Sequence, residues 1–171
     1  MSETLLESAR RVAGAVLDPE VPVLTIEDLG VLRDLTIDAG GAVEVTITPT
    51  YSGCPAMDAI RADIVVALAA HGYHDVAVRT ELAPAWTTDW MSEDGRRKLR
   101  EYGIAPPGPG GAGPARSGPV PITLGPLRPA AACPRCGSPD TRLLSRFSST
   151  ACKALRSCNA CLEPFDHFKE L

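Results

Sequence analysis

The sequence CPRCG at residues 133–137 and the sequence CNAC at residues 158–161 decide the fold of the C-terminal part of this chain. In each of them two residues separate a pair of cysteines, a spacing that lets a tight turn direct both sulfur atoms at one ion. Two such turns supply four thiolates, which suit a tetrahedral zinc ion with Zn–S bonds of about 2.3 Å. The spacing therefore predicts a zinc ribbon, whose four ligands are Cys133, Cys136, Cys158 and Cys161.

The module that contains these cysteines, residues 131–171, is too short to be held by a hydrophobic core alone. A structural metal then contributes most of its folding free energy, on the order of 10–16 kcal/mol in comparable zinc peptides. Iron held by four thiolates is an alternative, and disulfide-linked cysteines are a weaker one. Strands are predicted over residues 142–147, 153–157 and 164–168.

Two further side chains of this module have open roles. Cys152 lies outside both cysteine pairs, and we favour a small packing side chain over a reactive thiol beside the metal. His167 could bind a metal, but the four cysteines complete the ligand set without it. We therefore expect His167 to be a surface or packing residue.

Residues 105–130 separate this module from the rest of the chain. Eight prolines and six glycines fill 14 of the 26 positions, so the segment cannot bury enough apolar surface to offset the entropy of ordering it. We interpret it as a Pro/Gly-rich linker that is partly stiffened by its prolines. The predicted domains are thus residues 1–104, the linker at residues 105–130, and the ribbon at residues 131–171.

The composition and charge limit the function classes. With 44% hydrophobic and 22% charged residues, the chain is typical of a globular protein. No apolar run approaches the roughly 20 residues that span a bilayer, and the N-terminus lacks the features of a signal peptide. We expect a cytoplasmic protein, where six cysteines indicate metal or redox chemistry. The first 104 residues carry a net charge of −8, which disfavours nucleic acid as a partner.

The first 104 residues predict a small compact α/β (α+β) domain in the order helix, hairpin, helix, strand, helix. Ser2 is the expected N-cap of the first helix, and the pair Gly40 and Gly41 indicates a hairpin turn between two alternating strands. The predicted helices cover residues 3–17, 55–71 and 92–101, and the predicted strands cover residues 31–37, 42–48 and 76–82.

Cys54 is the candidate reactive thiol of this domain. It precedes Pro55, which suits the first position of a helix, so Cys54 is predicted to be the N-cap. There the helix dipole and free amides would lower its pKa and favour a thiolate that attacks or binds a soft metal. Thr50 and Ser52 offer hydroxyl groups nearby. A buried cysteine that merely packs at a strand–helix junction is an equally weighted alternative.

Two acidic segments, at residues 18–20 and 27–28, place four carboxylates around one loop. A solvated acidic face is the simpler interpretation. Contacts to a metal or a partner beside Cys54 are the alternative, and in that interpretation Asp18 supports the thiol.

The segments LDPEVP at residues 17–22, IEDLG at residues 26–30 and TYSGCPA at residues 50–56 resemble the iron–sulfur cluster assembly family of the SufT type. The resemblance implies a compact α/β fold with a reactive cysteine, which here is Cys54. Together with the tail, which reads STACKAL at residues 149–155 and EPFDHFK at residues 163–169, the chain resembles the family of D subunits of the phenylacetyl-CoA epoxidase system.

This resemblance implies an accessory role in aerobic phenylacetate degradation, in which the protein helps to assemble an iron–sulfur cluster or metal centre in the epoxidase complex and is not itself a catalytic subunit. Cys54, supported by Thr50 and Asp18, would bind transient iron or a nascent cluster. The implied partners are the other epoxidase subunits, especially the iron–sulfur reductase subunit. A non-catalytic structural subunit, a zinc-ribbon protein that binds nucleic acid, and a thiol enzyme that uses Cys54 are the alternatives.

Overall fold

The computed structural model describes residues 4–108 and 131–170. The chain divides into two compact units, which we call the first unit (Met1–Trp86 with Trp90–Gly95) and the second unit (Thr87–Asp89 with Arg96–Leu171). Within the described residues, no helix is both long and apolar enough to span a bilayer.

The predicted linker lies mostly outside the described residues, since it includes residues 109–130. The predicted domain bounds therefore stay a prediction. The contacts of the described residues assign residues 96–104 to the second unit, with the ribbon, whereas the predicted division groups them with the first domain.

The first helix, α1, spans Leu5–Gly14 and is shorter at both ends than predicted. Its N-cap is Thr4 and not Ser2, which lies outside the described residues. The Thr4 hydroxyl accepts a hydrogen bond from the Glu7 amide at 3.2 Å, and the Glu7 carboxylate accepts one from the Thr4 amide at 2.8 Å. This reciprocal capping box stabilises the observed start. The same Thr4 amide lowers the pKa of Glu7 below its usual value.

A three-stranded sheet in the order β1-β2-β3 forms the centre of the first unit. β1 (Leu32–Ile37) and β2 (Val43–Ile47) form the predicted antiparallel hairpin, and β3 (Val76–Thr80) pairs with β2 in parallel. A parallel pair needs a crossover connection, which α2 (Met57–Ala70) supplies. The alternation predicted for β2 places three side chains in the core: Val43, Val45 and Ile47.

The loop between α1 and β1 buries two carboxylates, so the predicted solvated acidic face is wrong for both of them. The Asp18 carboxylate accepts hydrogen bonds from the amides of Glu20 and Val21, both at 2.8 Å. The Asp28 carboxylate accepts one from the Thr25 amide at 3.0 Å, and its other oxygen accepts one from a serine hydroxyl. The backbone amides of an irregular loop need acceptors, and these carboxylates supply them.

The last helix, α3 (Glu93–Tyr102), matches its prediction. The hydroxyl of Ser92 accepts a hydrogen bond from the Gly95 amide at 2.9 Å, as an N-cap does. Gly103, which has a φ of 88°, ends the helix.

The second unit contains a four-stranded sheet in the order β4-β7-β6-β5. The strands β5 (Thr141–Ser145), β6 (Lys153–Cys158) and β7 (Pro164–Phe168) pair antiparallel, close to the predicted bounds. The two-residue strand β4 (Ile104–Ala105), which has no periodic pattern to reveal it, pairs parallel with β7. The predicted fold class, a small α/β domain followed by a zinc-ribbon module, is confirmed.

Candidate metal centre and reactive thiol

Four cysteine side chains converge at one end of the ribbon sheet. The Sγ atoms of Cys133, Cys136, Cys158 and Cys161 all lie within 4.8 Å of one another. The distance is 3.8 Å from Cys133 to Cys161 and 3.6 Å from Cys136 to Cys158. Ligands on a tetrahedron with bonds of about 2.3 Å stand about 3.8 Å apart, so the four sulfur atoms fit a zinc-sized ion. They form a metal-binding site of the zinc-ribbon type.

Backbone turns of the same form hold both cysteine pairs. The Cys133 amide donates to the carbonyl of Ser138 at 2.9 Å, and the Cys158 amide donates to the carbonyl of Glu163 at 2.9 Å. The residue after each second cysteine has a positive φ, 75° for Gly137 and 63° for Leu162. Gly137 adopts this conformation freely, whereas Leu162 does so against its steric preference.

The protonation of the thiols reflects their crowding. The backbone amide of Cys161 lowers the pKa of Cys158 to about 7. For Cys136 the Ser138 amide acts in the same direction, but hydrogen bonds with the thiols of Cys158 and Cys161 raise its pKa to about 12. Thiolates this close repel one another, so a bound cation is what makes four deprotonated ligands compatible.

Cys54 lies on the loop between β2 and α2, and its side chain is partly exposed. The N-cap of α2 is Ala56, which has helical dihedral angles and no side-chain capping bond, so the prediction that Cys54 is the N-cap is wrong. The amide of Cys54 donates to the Tyr51 carbonyl at 3.1 Å, and its carbonyl accepts from the Met57 amide at 3.4 Å. These bonds form a turn ahead of the helix, which places the thiol on a loop.

The residues that were predicted to support Cys54 occupy different environments. Thr50 belongs to the same loop and lines a cavity of 230 Å³, together with Ser52 and the buried Trp86. Trp86 is positioned by a hydrogen bond from its indole to the Leu29 carbonyl at 2.9 Å. Asp18 binds the backbone of its own loop. Support of Cys54 by Thr50 and Asp18 stays a prediction.

Cys152 and His167 lie in the ribbon outside the metal ligands. Cys152 is buried, as the packing interpretation predicts, and its Sγ lies 3.0 Å from the hydroxyl of Thr150. His167 is partly buried in β7. Burial, together with the nearby charge of Arg156, lowers the pKa of His167 to about 4, so the ring is neutral near pH 7.

The second unit contains a cavity of 420 Å³ that no sequence pattern predicts. Its charged lining groups are Arg100 and Glu170, and the neutral ring of His167 and Cys133 of the metal site also line it. The cavity depends on β4 because Ala105 lines it, and a strand of two residues leaves no signal in the sequence.

Two protein families match separate parts of the chain. The family described as "Iron-sulfur cluster assembly protein" matches residues 9–79. The family described as "PaaD zinc beta ribbon domain" matches residues 117–169. The first match includes Cys54, and the second includes all four cysteines of the metal site.

Individual relatives match either most of the chain or about half of it. A protein of Escherichia coli (strain K12) that is named as the D subunit of a 1,2-phenylacetyl-CoA epoxidase is 50% identical over 89% of this chain and 85% of that relative. The "Fe-S protein maturation auxiliary factor" of Porphyromonas gingivalis is 35% identical over 54% of this chain and 89% of its own length. The solved structure of a domain named DUF59 from Bacillus anthracis is 27% identical, with a TM-score of 0.52 over 55% of this chain and 90% of that one.

Proposed function

The chain belongs to the family of phenylacetyl-CoA epoxidase D subunits, and from that premise we propose that it assists the assembly of an iron–sulfur cluster or metal centre in other subunits of such an epoxidase. The comparisons support an accessory role related to iron–sulfur assembly. The finer assignment, that the client is the iron–sulfur reductase subunit of the epoxidase, is part of the proposal.

One observation carries the proposal: the ribbon thiols are directed at one another, whereas the thiol of Cys54 is accessible to a second protein. The four thiols of the ribbon face one another and complete a tetrahedral ligand set. Cys54 belongs to the part of the chain that matches the assembly family, and it is partly exposed on a loop. A cysteine that accepts and releases a cargo must be reachable by a second protein, and a loop position allows this.

In the proposed reaction, iron or a nascent cluster is the cargo. The Cys54 thiol gives up its proton to water, and its sulfur bonds to an iron atom of the cargo in place of a water or another exchangeable ligand. The cargo leaves when ligands of the client replace Cys54. Thr50 and Asp18 shape the surroundings of the thiol, and the ribbon binds the client.

The test is metal analysis of anaerobically purified wild type and Cys54→Ser, together with the cluster content of the co-expressed reductase subunit. We expect one zinc per chain in both proteins, and iron bound to wild type alone. The client should contain its full cluster with wild type and little of it with Cys54→Ser.

Cys152→Ser is the matched control, because it removes a buried thiol that is not a ribbon ligand. It should leave the iron content and the client unchanged. A fully loaded client in the presence of Cys54→Ser would contradict the proposal. Stoichiometric co-purification with a client whose cluster content does not depend on Cys54 would instead indicate a structural subunit.

A further inference from the structure

The β5 strand forms one edge of the ribbon sheet. The strand order is β4-β7-β6-β5, and β5 pairs only with β6 among the described residues. Its outer backbone donors and acceptors therefore have no strand partner in the described part of the chain. An edge of this kind is a template to which an additional strand can be added.

The side chains along this edge are unusually exposed for an apolar sequence. Every residue from position 142 to position 147 is exposed. The exposed fractions are 48% for Leu143, 49% for Leu144 and 63% for Phe147. Edge strands commonly carry charged residues or proline, which discourage pairing, and β5 additionally presents Leu143 and Leu144, with Phe147 just beyond its end. We call the surface of residues 142–147 the β5 edge.

The β5 edge is also positively charged. Arg142 and Arg146 flank the two leucines, and neither forms an ion pair with any residue in the ranges 4–108 and 131–170. The ammonium of Lys169 lies 4.6 Å from the centre of the Phe147 ring and adds a third positive charge.

Three of the four acidic side chains of the ribbon have partners outside this edge. The carboxylate of Asp166 binds Lys153 at 3.2 Å, and that of Glu163 binds Arg135 at 2.5 Å. Asp140 accepts a hydrogen bond from the side chain of Asn159 at 2.7 Å.

We propose that the β5 edge binds an extended segment of a protein partner in which acidic residues alternate with apolar ones, and that this segment adds to the sheet as a fifth strand. The apolar side chains of the segment cover the leucines and Phe147, and its carboxylates bind Arg142 and Arg146. The proposal rests on the proposed function in one respect: the partner that supplies this segment is the client.

The charge of the edge argues against two other occupants. A second copy of this chain would bring Arg142 and Arg146 near the same two arginines. Like charges that face each other on paired strands repel. Nucleic acid is bound by longer rows of cations, and exposed leucines give it no stacking surface. The pairing of β5 with β6 is irregular between Leu143 and Ser145, so an added strand must fit this irregularity.

The experiment uses the zinc-loaded full chain and three labelled probes: an eight-residue peptide of alternating glutamate and valine, its lysine–valine counterpart, and a single-stranded oligonucleotide. Fluorescence anisotropy gives the affinities, and hydrogen exchange of the β5 amides reports strand addition. We expect the acidic peptide to bind with a Kd below about 1 mM and to slow exchange along β5. The double variant Arg142→Glu with Arg146→Glu should weaken its binding by about tenfold or more and favour the lysine peptide.

Arg135→Gln is the matched control, since it changes an exposed arginine of the same ribbon outside the β5 edge. It should bind the acidic peptide as wild type does. Absence of binding, equal binding of both peptides, or tighter binding of the oligonucleotide would overturn the proposal.

A failure of this docking surface is distinguishable from a failure of the proposed function. Cys54→Ser tests the cargo step and should leave peptide binding unchanged. The double arginine variant should retain its iron and lose the client. If the acidic peptide binds but client maturation does not depend on Cys54, the docking proposal is supported and the proposed assembly role is contradicted.

Discussion

The metal site of the ribbon and the Cys54 loop hold their cysteines by different means. In the ribbon, four thiols whose sulfur atoms all lie within 4.8 Å of one another form a ligand set that the spacing in the sequence already predicts. In the first unit, one partly exposed thiol lies on the loop between β2 and α2. We expect the ribbon to depend on a metal for its stability, whereas the first unit is held by apolar burial and by hydrogen bonds to loop amides.

The largest expected effect is loss of the metal from the ribbon. Cys136→Ser, or a strong zinc chelator, should unfold residues 131–170, because the metal contributes on the order of 10 kcal/mol or more in comparable modules. The first unit should keep its structure. Hydrogen exchange resolved by residue measures both at once, and retained protection across β5–β7 after metal removal would show that the ribbon core suffices.

A smaller effect is expected in the first unit from Asp18→Ala. The change leaves the amides of Glu20 and Val21 without their buried acceptor and should lower the free energy of unfolding by about 2 kcal/mol. Urea denaturation checks this value, and metal analysis should still show one zinc per chain. The exposed Asp63 is the control, since Asp63→Ala should change stability by less than about 0.5 kcal/mol.

The ribbon should also lose stability in mild acid through His167. The folded pKa is about 4, below the usual value of 6.5, so the unfolded chain binds the proton more tightly. Stability is therefore complete above about pH 6.5 and falls as the pH drops toward 4. We expect the free energy of unfolding to fall by about 1 kcal/mol by pH 5. The effect is smaller than for a fully buried ring because part of the His167 ring is exposed to solvent. Thermal melts of wild type and His167→Gln should differ in their pH dependence across this window.

The smallest expected effect is a gain in the stability of the ribbon. Leu162 adopts a φ of 63° and its side chain is 76% exposed, so Leu162→Gly removes steric strain and loses almost no packing. We expect the ribbon to become more stable by about 0.5–1 kcal/mol. Leu162→Ala keeps the strain and should show no gain. A lower midpoint of zinc-loaded unfolding for the glycine variant would show that Leu162 contributes packing.

Sequence patterns located most elements and the whole metal site. The two cysteine pairs act locally, since each pair lies on one turn, so their spacing alone identifies the four ligands. The alternation of apolar side chains that predicts β2 is also a local property. The start of α1 was misplaced because Ser2 and Thr4 are both good caps, and the choice depends on the partner Glu7.

Only the tertiary structure decided the roles of residues whose partners are distant in sequence. Asp28 is an acidic loop residue by pattern, yet Ser92, which is 64 positions away, completes its hydrogen bonds in the core. The pairing of β4 with β7 and the exposure of the β5 edge are equally non-local. Sequence spacing alone identifies the ribbon ligands and the order of the longer elements, because both depend on residues that are close together in the chain. Burial and edge exposure emerged only from the folded chain, because they depend on which surfaces the rest of the molecule covers.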